Sequence, residues 1–229
     1  IDPGPACASH VTAVAAEVAG AESVVLLLTH GHSDHAGAAP ALAVRLGARI
    51  LGACPNGSSE GEPGSSGPLP GIPLRVLGDG EGVDTDMGEL TALSAPGHTC
   101  DHLVFHWRDQ RAAFVGDLLL GVGETTWVGG YSGCVADYFA SLDRVENLGA
   151  GVLLPAHGPP VFDPEARLGR YRAHCRERVT QVERALGAHT DASVDELLTT
   201  VYGESVPEGL LPAARASLVA LIEHVKAER

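Results

Sequence analysis

Seven side chains in this sequence have the types and the spacing to hold metal ions. The segment Thr29-His30-Gly31-His32-Ser33-Asp34-His35-Ala36-Gly37 puts three histidines and an aspartate within six residues, directly after the apolar run Val24 to Leu28. In extended backbone, side chains two apart face the same way, so His30 and His32 can share one ion. Asp34 and His35 fall where the chain turns into a helix and can address a second site. Three more candidates occupy an equivalent place: His98 after the run Glu89 to Ser94, Asp117 closing Ala113-Phe114-Val115-Gly116, and His157 closing Val152-Leu153-Leu154-Pro155-Ala156. Layered α/β proteins build their sites at the carboxyl ends of strands, so these residues are expected to converge on one edge.

Imidazole and carboxylate donors suit Zn²⁺, with Fe or Mn also compatible. A pair of divalent ions ~3.5–4 Å apart can hold one hydroxide between them, and Zn-bound water ionises near pH ~7 instead of 15.7. That hydroxide could attack a carbonyl or phosphoryl centre without a Ser or Cys nucleophile, with the ions stabilising the developing oxyanion. Asp34 is placed to orient it and to assist proton transfer.

The elements that must position these residues alternate between short β-like runs and helices, the pattern of a layered α/β domain. Val11 to Val18 reads as a helix, Ser23 to Thr29 as a buried strand and Ala36 to Leu46 as a helix. Gly52 to Pro73 is dominated by Gly, Pro and Ser and reads as a mobile surface loop. Strands are expected at Leu74 to Leu77, Glu89 to Ser94, Leu103 to Trp107, Ala112 to Val115 and Val152 to Leu154, with a helix at Val135 to Leu148. From Pro164 the strands stop, and three helices are expected at Glu165 to Leu186, Val194 to Tyr202 and Leu210 to Ala227. Ser193 ahead of Glu196 has the spacing of a capping box for the second. This tail is too short to bury much core alone and is expected to dock on the first part.

Composition narrows the function. Of 229 residues, 45% are apolar and 19% charged, enough for a real core and against disorder or a fibrous repeat. The net charge of −14 argues against an ordinary basic nucleic-acid binder. The first 163 residues carry 6 basic and 19 acidic side chains, so two divalent ions would still leave that part at −9. The apolar runs fall far short of the ~20 residues that span a bilayer, so no membrane association is expected. Five cysteines, odd in number and never in a CxxC pair, suggest reduced thiols and a cytoplasmic location. The chain opens on Ile1-Asp2-Pro3-Gly4 without Met, so an upstream segment is expected.

The order HxHxDH at His30, His32, Asp34 and His35, followed by His98, Asp117 and His157, resembles the metallo-beta-lactamase superfamily across residues 1 to about 160. The resemblance implies an αββα sandwich whose first strands lie upstream of Asp2. It assigns His30, His32 and His98 to one metal and Asp34, His35 and His157 to the other, with Asp117 bridging both. Asp2 matches the family's early Asp-x-Gly turn, which supports the ligands and does not bind metal. Pro96-Gly97-His98-Thr99-Cys100-Asp101-His102, Tyr138 to Leu142, Pro155 to Pro159 and Tyr171 to Arg178 further resemble lactamase-beta-like hydrolases with a C-terminal winged-helix-like domain. That implies a catalytic domain over 1–163 and a helical, winged-helix-like domain over 164–229. This chain has His174-Cys175-Arg176-Glu177 where such relatives often carry His-x-Arg-x-x-Arg-Glu.

The leading functional reading is a di-metal hydrolase of a small ester, thioester or lactone. The alternative is a single-strand endoribonuclease of the same fold, for which Arg167, Arg170, Arg172, Arg176 and Arg178 would have to track a phosphate backbone. Such a run is more often a solvated or salt-bridged helix face, and no aromatic residues interleave with it to stack bases. A non-enzymatic nucleic-acid-binding module ranks last, because it leaves the ligand set without a use. His102, four residues after His98, and Trp127 in a Gly-rich stretch are candidate substrate contacts. Cys100 reads as a buried bystander, and His10, His106, His174, His189 and His224 as structural.

Overall fold

The computed structural model describes residues 1–53, 73–188, 192–203 and 206–228. The expected mobile loop falls almost wholly on residues 54–72, outside the described residues, as does His189.

Three separate core clusters reveal the layering. Strand β1 (Val25–Leu27) alternates its side chains: Leu26, like Leu28 beyond it, packs against helices α1 (Ala8–Glu17), α2 (Ser33–Ala36) and α3 (Ala39–Leu46), while Leu27 points the other way. With β2 (Arg49–Gly52) and β3 (Leu74–Val76) it forms a parallel three-stranded sheet. A second sheet runs β4 (Gly82–Thr85), β5 (Gly88–Ser94), β6 (Leu103–Trp107), β7 (Ala112–Gly116) and β8 (Val152–Pro155), antiparallel until β8, which lies parallel to β7. Leu27 and Leu51 meet Leu90, Leu103 and Phe105 between the sheets. Val104, Ala113, Val115 and Leu153 face outward onto α4 (Cys134–Glu146). Helix, sheet, sheet, helix is the expected αββα sandwich.

The tail forms α5 (Pro164–Ala188), α6 (Val194–Tyr202) and α7 (Leu211–Ala227). The capping box is present: Ser193 Oγ accepts from Glu196 N, and the Glu196 carboxylate accepts from Ser193 N at 2.8 Å. Leu168, Tyr171, Val182 and Leu218 belong to the same core cluster as Val104 and Leu153, so the tail shares the sandwich's outer core. Among the described residues the tail contains no strand from which a wing could be built. No helix among them is long and apolar enough to cross a membrane.

The structure corrects some sequence-level expectations. Strands β2 and β4 were not anticipated. The single helix expected from Ala36 to Leu46 is two, because backbone from the N-terminal segment intervenes: Gly4 N donates to His35 O at 2.9 Å and Ala38 N donates to Gly4 O at 2.8 Å.

Candidate metal centre

The ends of β1, β5, β7 and β8 meet at one edge of the sandwich, each followed by one or more of the anticipated side chains. Leu103 N donates to Thr29 O at 2.7 Å and joins the two sheets there. Two glycines let the loops close up. Gly97 (φ +137°) passes so close to α4 that an added Cβ would lie 2.6 Å from Tyr138 Cα, and at Gly116 (φ +51°) it would lie 2.6 Å from His102 Nε2. Helix α4 then fastens both loops: Ser141 Oγ donates to Pro96 O at 2.6 Å and Tyr138 Oη to Leu118 O at 3.0 Å.

Two groups of donors result. His30 Nε2 and His98 Nε2 lie 2.8 and 3.1 Å from His32 Nδ1. Ring nitrogens facing one another this closely repel unless a proton or cation lies among them. In the second group His157 Nε2 is 3.3 Å from Asp34 Oδ2, and His35 Nε2 is 3.6 Å from the same oxygen. Asp117 stands between the groups, with Oδ2 3.4 Å from His35 Nε2 and 3.7 Å from His98 Nε2, and Oδ1 3.5 Å from His157 Nε2. Two compact sets of potential ligand atoms, His30/His32/His98 and Asp34/His35/His157, therefore share one carboxylate neighbour.

Three of these histidines are fixed from behind. Asp2, in a left-handed turn (φ +47°), accepts from Thr29 N at 2.8 Å, from Thr29 Oγ1 at 2.7 Å and from His35 Nδ1 at 2.9 Å. Thr29 Oγ1 lies 3.0 Å from His30 Nδ1, and His98 Nδ1 donates to Trp127 O at 2.8 Å. A histidine held at one nitrogen presents the other in a fixed direction, the usual arrangement behind a metal ligand.

Electrostatics separates the histidines. Burial pushes His30 well down, and with His32 as neighbour it lowers His98 to about 4. Burial alone would lower His35 too, but the neighbouring carboxylates of Asp117 and Asp2 outweigh it and raise it to about 10. The carboxylates thus draw positive charge to His35 Nε2. Burial opposes charge on Asp117 as well, yet His35 holds its carboxyl below the usual range. His35 Nε2 and Asp117 Oδ1 are buried and lack a hydrogen-bond partner in the protein. An unmet buried polar atom costs roughly 1–3 kcal/mol, and a cation between these atoms would satisfy both. The donor set therefore fits a pair of divalent ions.

Of the other anticipated site residues, Trp127 lines a cavity beside the ligands and has its ring 6.0 Å from His32. His102 corrects the expectation of a substrate contact. It is 1% exposed, with ring centroids 5.2 and 6.1 Å from His30 and His98, and its Nε2 accepts from Asp117 N at 3.2 Å. It lies beneath the centre, where substrate cannot reach. Burial, with His98 beside it, lowers the ring to about 3.

The cavity itself was not anticipated. It has a volume of about 640 Å³ and runs from His98, Asp117 and His157 between the tail helices, walled by Val128, Tyr138, Tyr171, Leu210, Ala214 and Leu221. His174, read as structural, lines it together with Cys175 and Arg178. The spacing of Tyr171, His174, Cys175 and Arg178 along one helix face was the available signal.

The arginines of α5 are largely committed within the protein. Arg167 donates to Leu120 O, Gly121 O and Gly123 O, and Arg172 pairs with Asp143 and Glu146 at 2.7 and 2.9 Å. Arg170 lies 3.9 Å from Glu124, and Arg176 sits over the Phe139 ring at 5.9 Å.

The sequence pattern of the Metallo-beta-lactamase superfamily matches residues 1–157. Lactamase-like protein adaB of Aspergillus niger is 28% identical over 247 residues, covering 99% of this chain and 72% of that protein. The atrochrysone carboxyl ACP thioesterase of Aspergillus chevalieri is 29% identical over 214 residues, covering 89% of this chain and 62% of the relative. The beta-lactamase-like protein 2 homolog of Caenorhabditis elegans is 29% identical over 132 residues, 58% of this chain, and the match spans 43% of that relative's length. Among solved structures, a metallo-beta-lactamase family protein from Thermus thermophilus superposes with a TM-score of 0.79 over 99% of this chain and 84% of its own, at 23% identity. A chain solved in a di-iron-bound form gives a TM-score of 0.53 at 26% identity, over 76% of this chain and 85% of its own.

Proposed function

The chain belongs to the metallo-beta-lactamase superfamily of metal-dependent hydrolases, and from that premise we propose that it hydrolyses acyl thioesters or closely related small esters and lactones. His30, His32 and His98 would hold one ion and Asp34, His35 and His157 the other, with Asp117 serving both. Zinc matches this nitrogen and oxygen donor set, and iron or manganese are compatible. When bound, such a pair ionises water near neutral pH and polarises an acyl carbonyl.

The protein's own groups supply the rest. Asp34, 55% exposed at its side chain against 12% for Asp117 and 9% for Asp2, is the carboxylate of the cluster most open to solvent, and it accepts the proton of the attacking water. The water oxygen bonds to the acyl carbon and the carbon–sulfur bond breaks. The sulfur leaves as a thiol with the proton that Asp34 held, and the acid remains. Asp2 and Thr29 keep His35 and His30 in register, and Trp127 screens one side of the centre.

The observation that carries this reading is the cavity of about 640 Å³ that opens onto His98, Asp117 and His157 and is walled mostly by apolar side chains. Its size suits a small-molecule ligand. Such walls give an acyl chain a dry seat and give the repeated phosphates of a polyanion no track. In this reading residues 1–163 are the catalytic unit and the tail from residue 164 shapes the acyl seat. The thioesterase among the relatives points the same way.

The endoribonuclease reading is disfavoured by the arginines, whose carbonyl, carboxylate and ring contacts leave no continuous phosphate track. A panel of thioester, lactone, beta-lactam and single-stranded RNA against the zinc-loaded protein tests the choice. Thioester turnover should dominate and change little with added salt. RNA cleavage that falls steeply with salt, with no thioester turnover, would overturn the assignment.

A further inference from the structure

Arg178 differs from its neighbours on α5. Its Nη1 donates to Gln181 Oε1 at 2.9 Å and Val201 O at 3.0 Å, and its guanidinium stacks on the Tyr202 ring at 4.7 Å. Both hydrogen-bond partners are neutral, and no carboxylate among the described residues forms an ion pair with it. Arg170 and Arg172 by contrast each face acidic partners. Arg178 also lines the cavity. A half-buried cation held in place by neutral groups, with no carboxylate of the described residues paired to it, is able to receive an anion.

The helix fixes where that charge stands. Tyr171 Oη accepts from Leu120 N at 3.0 Å, three residues beyond Asp117, so Tyr171 marks the ligand end of the cavity. Tyr171, His174, Cys175 and Arg178 share one face of α5, and at the helical rise per residue Arg178 follows Tyr171 by about 10 Å. Tyr202 and Val206, which follow α6 or end it, wall the cavity at the Arg178 end. Glu124, the other charged lining residue away from the ligands, lies against Arg170. Among the described lining residues away from the ligands, Arg178 is the charge without an acidic partner.

We infer that Arg178 forms an anion subsite at the distal end of the cavity and selects acyl groups that end in a carboxylate. The inference rests on the thioester reading for its substrate and on the cavity for its geometry. An ω-carboxyl acyl chain of about 10 Å would place its thioester at the ligand cluster and its far carboxylate on Arg178, with apolar walls along the methylenes between.

Binding of the product acids tests Arg178 without turnover. Suberate and octanoate have the same chain length and differ in the second carboxylate, and each is titrated calorimetrically into the zinc-loaded protein. Suberate should bind roughly 10- to 100-fold more tightly than octanoate, the range of a charge-assisted hydrogen bond. Arg178→Gln should remove the preference by weakening suberate far more than octanoate, and Arg178→Lys should restore part of it. Suberyl and octanoyl thioesters, compared by kcat/KM, should follow the same order. Equal affinity for the two acids in the parent protein, or an equal loss of both in Arg178→Gln with Arg178→Lys no better, would overturn the assignment. If both thioesters resist cleavage while suberate is still preferred in an Arg178-dependent way, the reaction class is wrong and the anion subsite stands.

Discussion

At the sheet edge, polar contacts fix direction: Asp2 alone receives Thr29 N, Thr29 Oγ1 and His35 Nδ1, and Trp127 O receives His98 Nδ1. Across the cavity, α5, α6 and α7 meet through apolar side chains such as Leu168, Val182, Leu197 and Leu218. The first region fixes the direction in which each of these donor atoms points, as a metal demands. The second sets mainly a volume, with Arg178 as its oriented charge. Chemistry and selectivity are therefore separable by substitutions that leave the Arg167 and Tyr171 contacts to the loop after Asp117 in place.

The sharpest break is Asp117→Ala, which removes the carboxylate common to both donor groups. Turnover should fall roughly 10³-fold or more, and metal content measured by elemental analysis should fall with it, while the far-ultraviolet circular dichroism is retained. Undiminished metal-dependent activity in that variant would contradict the site. In the wall, Leu218→Ala should lower unfolding stability by about 2–5 kcal/mol in urea titration, because the Leu218 side chain is completely buried. Metal content of its folded form should stay at the parent level; coupled loss of both would mean that the two regions are one unit. Asp2→Asn keeps the shape but weakens the charge behind His35 and Thr29, and should reduce metal affinity roughly 10- to 100-fold in a chelator competition, with little loss of stability. The smallest effect belongs to the exposed pair Arg215 and Asp195, 3.1 Å apart, whose removal by Arg215→Ala should shift stability by less than about 1 kcal/mol and leave metal affinity alone.

The two regions were also unequally legible in the sequence. The ligand candidates fall within short motifs after apolar runs, so strand periodicity alone was enough to expect that His98, Asp117 and His157 would meet the His30 segment. Strand β2 escaped notice because Arg49–Gly52 is four residues long and its last three are all buried, which hides any alternation. Strand β4 buries only Val83 of Gly-Val-Asp-Thr and reads as a polar turn. His102 was misplaced because its spacing after His98 says nothing of depth, which is set by the pairing of β5 with β6 and by Asp117 N donating to its ring. The cavity was illegible for a different reason. It exists only where one face of α5 meets residues of α7 and the segment before it, and no local pattern encodes that meeting.

Tyr171 joins these two styles of construction. Its hydroxyl caps the backbone of Leu120, and Arg167, one turn earlier on the same helix, gathers the carbonyls of Leu120, Gly121 and Gly123, so the loop leaving Asp117 is braced by the tail. A lineage that reshapes the tail to admit a new ligand therefore also shifts the loop that carries Asp117, without substituting any residue of the donor cluster. Swapping tails between relatives should carry reactivity along with preference unless Arg167 and Tyr171 travel with the graft.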